Sequence, residues 1–175
     1  MKSKFSLRTL SQVAVLAALT IVLERFLSFQ TLDMRIGFAF IPVAFAGMLF
    51  GPLWGGVTAG LADVLGQFIF PSPGGSLNLL ITLSKVIGGV IFGLALHREQ
   101  IKFFPHVVAA SVAEKVICTL GLTTLALSFM YRVPFLAELT TRLPQAGVML
   151  VLQLLILPFL VRLRTALRKA KLVGS

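Results

Sequence analysis

The chain has 175 residues, of which 57% are hydrophobic and only 13% charged, and its mean hydropathy is +0.97. A water-soluble domain of this size needs far more polar surface, so the composition excludes an ordinary soluble globular protein and predicts an integral membrane protein. The net charge of +10 does not signal nucleic acid. Lys2, Lys4 and Arg8 precede the first apolar run, and Arg162, Arg164, Arg168, Lys169 and Lys171 follow the last one. That placement flanks membrane segments and does not make a basic face interleaved with aromatics.

A span needs about 20 apolar residues, and the pattern predicts six helices. The first covers about 7–29. It follows basic residues as a secretory signal would, but Glu24-Arg25 follow its apolar run where a cleaved signal carries small residues, so it is predicted to be a retained helix. Gln30 to Arg35 form a polar link. No charge occurs from Ile36 to Ala62, and Gly51-Pro52-Leu53-Trp54-Gly55-Gly56 breaks this stretch. That gives a second helix at about 37–50 and a third at about 55–70, which carries Asp63. The run Pro71 to Ser76 closes it. The fourth helix, about 78–96, carries Lys85, and a basic link from His97 to Lys102 follows. The fifth, about 104–129, carries Glu114-Lys115. A loop opens at Tyr131-Arg132-Val133-Pro134, and the sixth helix runs from about 142 to 163.

Six spans put both termini on one side. Ten basic residues then share that side: Lys2, Lys4, Arg8, Arg98, Lys102, Arg162, Arg164, Arg168, Lys169 and Lys171. Arg35, Arg132 and Arg142 lie on the other. The positive-inside rule makes the first side the cytoplasm. The expected fold is an all-α membrane protein, a compact bundle of six transmembrane helices with both termini cytoplasmic. It is a single domain over 1–175, with no room for an ATPase or a catalytic domain.

Lipid gives no hydrophobic drive between helices, so small residues must let backbones approach. Gly47/Gly51, Gly51/Gly55, Gly56/Gly60 and Gly89/Gly93 have the spacing for packing within the bundle. Ala14, Ala17 and Ala18 on the first helix suit docking to another membrane protein. Ionised groups at bilayer depth cost about 2.5–3.5 kcal/mol on insertion scales. Asp63 and Lys85 therefore either pair structurally or line a ligand site. Gln67 shares a helix face with Asp63. Glu114-Lys115 are expected to pair elsewhere, away from the ligand.

Phe38, Phe40, Phe68, Phe70 and Phe135 gather beside the outer loops with Tyr131 and Arg132, either as an interfacial belt or as the walls of a pocket. Such a pocket suits a flat heteroaromatic ligand, with stacking area from the rings. Asp63 and Gln67 would bond an amino-pyrimidine edge, and Arg35, Arg132 or Lys85 a carboxylate. The sequence has no phosphate-loop motif, no zinc signature and no nucleophile–base set, and no cofactor is expected on this chain.

The stretch Arg35-Ile36-Gly37-Phe38-Ala39-Phe40-Ile41-Pro42-Val43-Ala44-Phe45-Ala46-Gly47-Met48-Leu49-Phe50-Gly51-Pro52 and the pattern Gly60-x-x-Asp63-x-x-Gly66-x-Phe68-x-Phe70-Pro71 resemble the substrate-binding S components of energy-coupling factor (ECF) vitamin transporters, in their folate branch. Ala14-x-x-x-Ala18 looks like that family's docking motif, and Tyr131-x-x-Pro134-Phe135 with Arg142 also fits. One stretch departs. Asn78-Leu79-Leu80-Ile81-Thr82-Leu83-Ser84-Lys85 keeps Thr82-Leu83-Ser84 but lacks an aromatic and Pro-Gly part that folate members usually carry, and Lys85 replaces a small residue. The resemblance implies a bacterial plasma-membrane subunit that captures folate from outside, without catalysis of its own. It implies docking onto an EcfT-type transmembrane coupling subunit driven by two cytoplasmic ATPases. The implied substrate-binding set is Arg35, Phe38, Phe40, Asp63, Gln67, Phe68, Phe70, Ser84, Lys85, Tyr131, Arg132 and Arg142. A smaller heterocycle such as hydroxymethylpyrimidine, the thiamine precursor, is the alternative ligand, and a stand-alone proton-coupled carrier the remote alternative.

Overall fold

A computed structural model describes residues 7–30, 35–70, 78–97 and 103–169. Six helical rods run alternately up and down. They are α1 (Leu7–Phe26), α2 (Phe40–Phe50), α3 (Pro52–Ile69), α4 (Leu79–Leu96), a composite fifth rod, and α7 (Phe135–Lys169). The fifth rod comprises α5 (Phe103–Glu114), a π-helical stretch (Lys115–Thr123) and α6 (Thr124–Tyr131). A small antiparallel ribbon, β1 (Ser28–Gln30) with β2 (Arg35–Gly37), pairs Phe29 with Ile36; it flanks the predicted polar link and takes Ser28 and Phe29 from the predicted first helix and Gly37 from the predicted second. The described residues are therefore helical except for this ribbon and short connections.

Two further helix boundaries shift, each for a local reason. Pro52 was expected to separate two helices by breaking them, yet it sits in the first turn of α3, where a missing N–H costs nothing. Gly51 before it takes φ +101°, a left-handed value that a side chain would oppose. The chain thus reverses in a single residue. The last helix begins at Phe135, directly after Pro134, and not at 142. Its first turns carry Glu138, Thr140, Thr141 and Arg142, whose polarity imitates a loop.

Among the described residues, four helical stretches are long and apolar enough to cross a membrane: Leu7–Phe26, Leu79–Leu96, Pro105–Met130 and Phe135–Ala166. α2 is not. Its 11 residues rise about 17 Å against a hydrocarbon core of about 30 Å. The expectation of six full spans thus narrows to six helices with four clear spans. Exposed apolar side chains such as Leu10, Leu19, Leu61, Leu83, Val116 and Leu155 cover the outside of the bundle, as a lipid-facing surface requires.

The main core joins α2, α4, α5 and α7 through Phe40, Ala44, Met48, Phe92, Leu96, Val107 and Leu157. Between α2, α3 and α4 there is almost no side-chain layer. A Cβ on Gly55 would lie 2.5 Å from Gly89 O, and one on Gly47 2.9 Å from Gly93 N. One on Gly89 would collide with Gly55 O, and one on Gly93 with the Pro52 backbone. The glycine spacing predicted packing, and the packing is backbone on backbone. At the end of the bundle near the chain termini, Arg164 is buried and donates 2.6 Å hydrogen bonds to the carbonyls of Leu96 and His97. It satisfies the open C-terminal end of α4 with a favourable charge. A ring nitrogen of His97 lies 3.1 Å from Met48 O and ties α4 to α2.

Candidate functional site

Two ionic clusters lie inside the bundle. The first sits close to the ribbon. Lys85 of α4 donates to Glu24 of α1 at 2.5 Å and to Asp63 of α3 at 2.6 Å. Thr82, one turn before Lys85, donates to the other Asp63 oxygen at 2.6 Å. Asp63 is 6% exposed, so each contact relieves a carboxylate that would otherwise be desolvated without compensation.

The second cluster lies near the middle of the bundle. Lys115 pairs with Glu114 at 2.7 Å, and the Gln153 amide of α7 donates to Glu114 Oε2 at 3.1 Å. Glu114 and Lys115 are sequence neighbours, which an α-helix would point about 100° apart. The winding changes from α to π between them, and π turns inside helices are frequent at functional sites. Gln153 is fully buried, and its Oε1 has no hydrogen-bond partner among the described residues.

A cavity of about 220 Å³ joins the two clusters. Ser28 and Gly37 bound it at the ribbon, and Glu24 and Lys85 stand on one wall. Phe40 and Phe92 supply aromatic faces. Gly88 and Gly89 leave part of α4 as bare backbone, and Glu114, Lys115, Met149 and Gln153 close the α5–α7 side. The charges in and against the cavity are Glu24, Asp63 and Glu114 opposed by Lys85 and Lys115. Three carboxylates against two ammonium groups leave one negative charge in excess. The cavity therefore favours hydrogen-bond donors over anions.

The family model for the substrate-specific component of ECF transporters matches residues 8–161. The chain belongs to that family. Among its relatives, the folate transporter FolT of Clostridium novyi (strain NT) is 36% identical over 137 residues, covering 78% of each chain. The folate transporter FolT of Leuconostoc mesenteroides subsp. mesenteroides is 30% identical over 162 residues, covering 90% of this chain and 86% of that one. The crystal structure of FolT bound with folic acid matches with a TM-score of 0.81 at 29% identity, over 90% of this chain and 94% of that one. The S-component for biotin from an ECF-type ABC transporter matches at a TM-score of 0.66 and 20% identity, over 94% and 95%, a likeness of fold. The resemblance read from the motifs thus holds, and this S component is a membrane transport subunit, not a catalytic enzyme.

The residues singled out in its sequence divide. Phe40 and Lys85 line the cavity. Asp63 stands behind Lys85, so the Asp63–Lys85 pairing exists, with Glu24 as a third member. Phe38 packs on the main core. Ser84 is buried facing the fifth rod, where its hydroxyl donates to Cys118 O at 2.9 Å and lies 3.0 Å from Thr123 Oγ1. Gln67 accepts from Arg25 at 3.0 Å, away from the cavity. Phe68 and Phe70 are exposed, and Phe70 meets Phe26 edge to face at 6.1 Å. Arg132 is exposed in a left-handed turn ending α6, and Arg142 pairs with Glu138 along α7. The side chains of Arg35 and Tyr131 lie outside the described residues.

Of the alanines, Ala14 and Ala18 face outward, whereas Ala17 is buried against Ile21 and Ala62. Glu114 and Lys115, expected to pair away from the ligand, do pair and also line the cavity. Glu24, Gln153, Gly88 and Gly89 were also not anticipated. An amide in the middle of an apolar span was the available signal for Gln153.

Proposed function

We propose that this S component captures folate, with the cavity beside the β1–β2 ribbon as its binding site. One observation carries the reading: a cavity within the bundle combines aromatic faces, bare glycine backbone and paired polar groups. Such a combination suits a flat, hydrogen-bonding heterocycle. The FolT relatives and the match to FolT bound with folic acid support the same assignment.

The volume favours one refinement. About 220 Å³ lies below the roughly 300–1,000 Å³ of pockets that enclose drug-sized ligands. Folate would place its bicyclic head inside and its tail at the ribbon. A smaller heterocycle such as hydroxymethylpyrimidine would fit whole and is the second reading.

In this proposal both termini face the cytoplasm, the ribbon faces outward, and the protein resides in a bacterial plasma membrane. Ala14 and Ala18, outward-facing on α1, dock onto the transmembrane coupling subunit, and ATP hydrolysis occurs in two cytoplasmic ATPases.

Titration calorimetry on the purified protein in detergent tests the ligand. Folic acid is expected to bind at one site, and binding of neither folic acid nor hydroxymethylpyrimidine overturns the assignment. Uptake into liposomes tests the division of labour. Transport requires the coupling subunit and ATPases; transport by this chain alone would replace the proposal with a self-sufficient carrier.

A further inference from the structure

We propose that Glu114 and Gln153 read the amino edge of the ligand's heteroaromatic head, so that the ligand enters head first and leaves any carboxylates at the ribbon. The inference rests on the proposed cavity and on its taking an amino-substituted heterocycle. It adds which end is recognised, and by which atoms.

The Glu114 carboxylate fixes the Gln153 amide. It can accept only from the NH₂ group, which donates to Oε2 at 3.1 Å. Gln153 Oε1 is thereby turned away, fully buried and without a partner among the described residues. A buried acceptor left unpaired is costly, and this one belongs to a residue lining the cavity. Glu114 Oε1 lies close to Gly88, 3.8 Å from where a Cβ would stand. Two acceptors thus flank one cavity wall. An exocyclic amino group beside a ring N–H offers two donors on one edge, the complement of such a pair.

Two further observations set the direction. The cavity and its immediate ion pairs carry one excess negative charge, so a ligand carboxylate is disfavoured inside. Lys85, the cation on the α4 wall of the cavity, already donates to two carboxylates and is poorly placed to hold a third. Gly88 and Gly89 give the ring a side-chain-free surface to lie against.

The test compares folic acid with its 2-desamino analogue by titration calorimetry, in the wild type and in Gln153→Met. The wild type is expected to prefer folic acid at least tenfold. Gln153→Met should reduce the preference below about threefold, mainly by losing affinity for folic acid, with the thermal midpoint retained. Folic acid bound without preference over the analogue, or a preference that survives in Gln153→Met, overturns the inference while leaving the folate assignment standing. If folic acid does not bind but hydroxymethylpyrimidine does, the folate assignment fails, and the same comparison with the desamino pyrimidine decides the inference. If neither binds, both fail.

Gly88→Ala serves as a second variant should Gln153→Met not fold. Its methyl would meet Glu114 Cγ at 3.4 Å, an ordinary contact, while narrowing the space beside the carboxylate. Affinity for folic acid is expected to fall more than tenfold with the thermal midpoint retained, and unchanged affinity overturns the inference.

Discussion

The two ionic clusters use similar residues for different ends. In the first, Lys85 bridges Glu24 and Asp63, and Thr82 takes up a further Asp63 oxygen. Three helices, α1, α3 and α4, are held together by groups that satisfy one another. In the second, Glu114 is shared by Lys115 and the Gln153 amide, and the amide oxygen has no partner among the described residues. A closed network is a structural tie. An incomplete one, opening on a cavity, awaits a donor. The ionisable residue that looked most like a ligand contact in the sequence, Asp63, belongs to the tie.

The comparison can be tested by substitutions graded by their expected effect on stability. The largest effect belongs to Gly89→Val, on the side-chain-free seam that holds the first cluster's helices. Its side chain would meet the backbone of α3, so no monodisperse folded protein is expected by size-exclusion chromatography. Gly147→Ala, with nothing within 4 Å, should behave as wild type. Lys85→Met comes next. It leaves Glu24 and the buried Asp63 facing each other without a cation between them, a loss read as a lower midpoint in scanning fluorimetry. Lys115→Met should cost less, because a single carboxylate remains and it keeps Gln153. Equal losses would erase the distinction between the clusters.

Ser84→Ala removes the hydroxyl linking α4 to the fifth rod and should cost about 1 kcal/mol without changing affinity. Little effect on stability is expected for Ala14→Trp or Ala18→Trp on the outward face of α1. Both should keep fold and ligand binding and lose uptake by the assembled transporter. Loss of binding would place α1 in the ligand site rather than at a docking surface.

Much of the fold was legible because membrane helices declare themselves by composition, and because glycines four apart predict close backbone approach. Asp63 and Lys85 were visible as groups too expensive to leave alone. That Glu114 and Lys115 both reach the cavity was not legible, because adjacent residues on an α-helix point apart and a change to π winding leaves no periodic mark in an apolar sequence. The start of α7 was missed because hydropathy measures fitness for lipid, whereas Glu138, Thr140, Thr141 and Arg142 satisfy themselves along a helix. Glu24 lay too near a helix end to look buried. The ribbon, with three residues per strand, is too short to show alternation.

The contact of α3 with α4 at Gly55 and Gly89 limits how the protein can let go of what it holds. Two backbones in direct contact have no rotamers to exchange and no gap to close, so this side of the cavity has no slack. Any movement that empties the cavity must be borne by the opposite wall, where π winding and two prolines of α7, Pro144 and Pro158, interrupt the regular ladder of helical hydrogen bonds. One half of the bundle is a fixed jaw, and the other is the half able to yield.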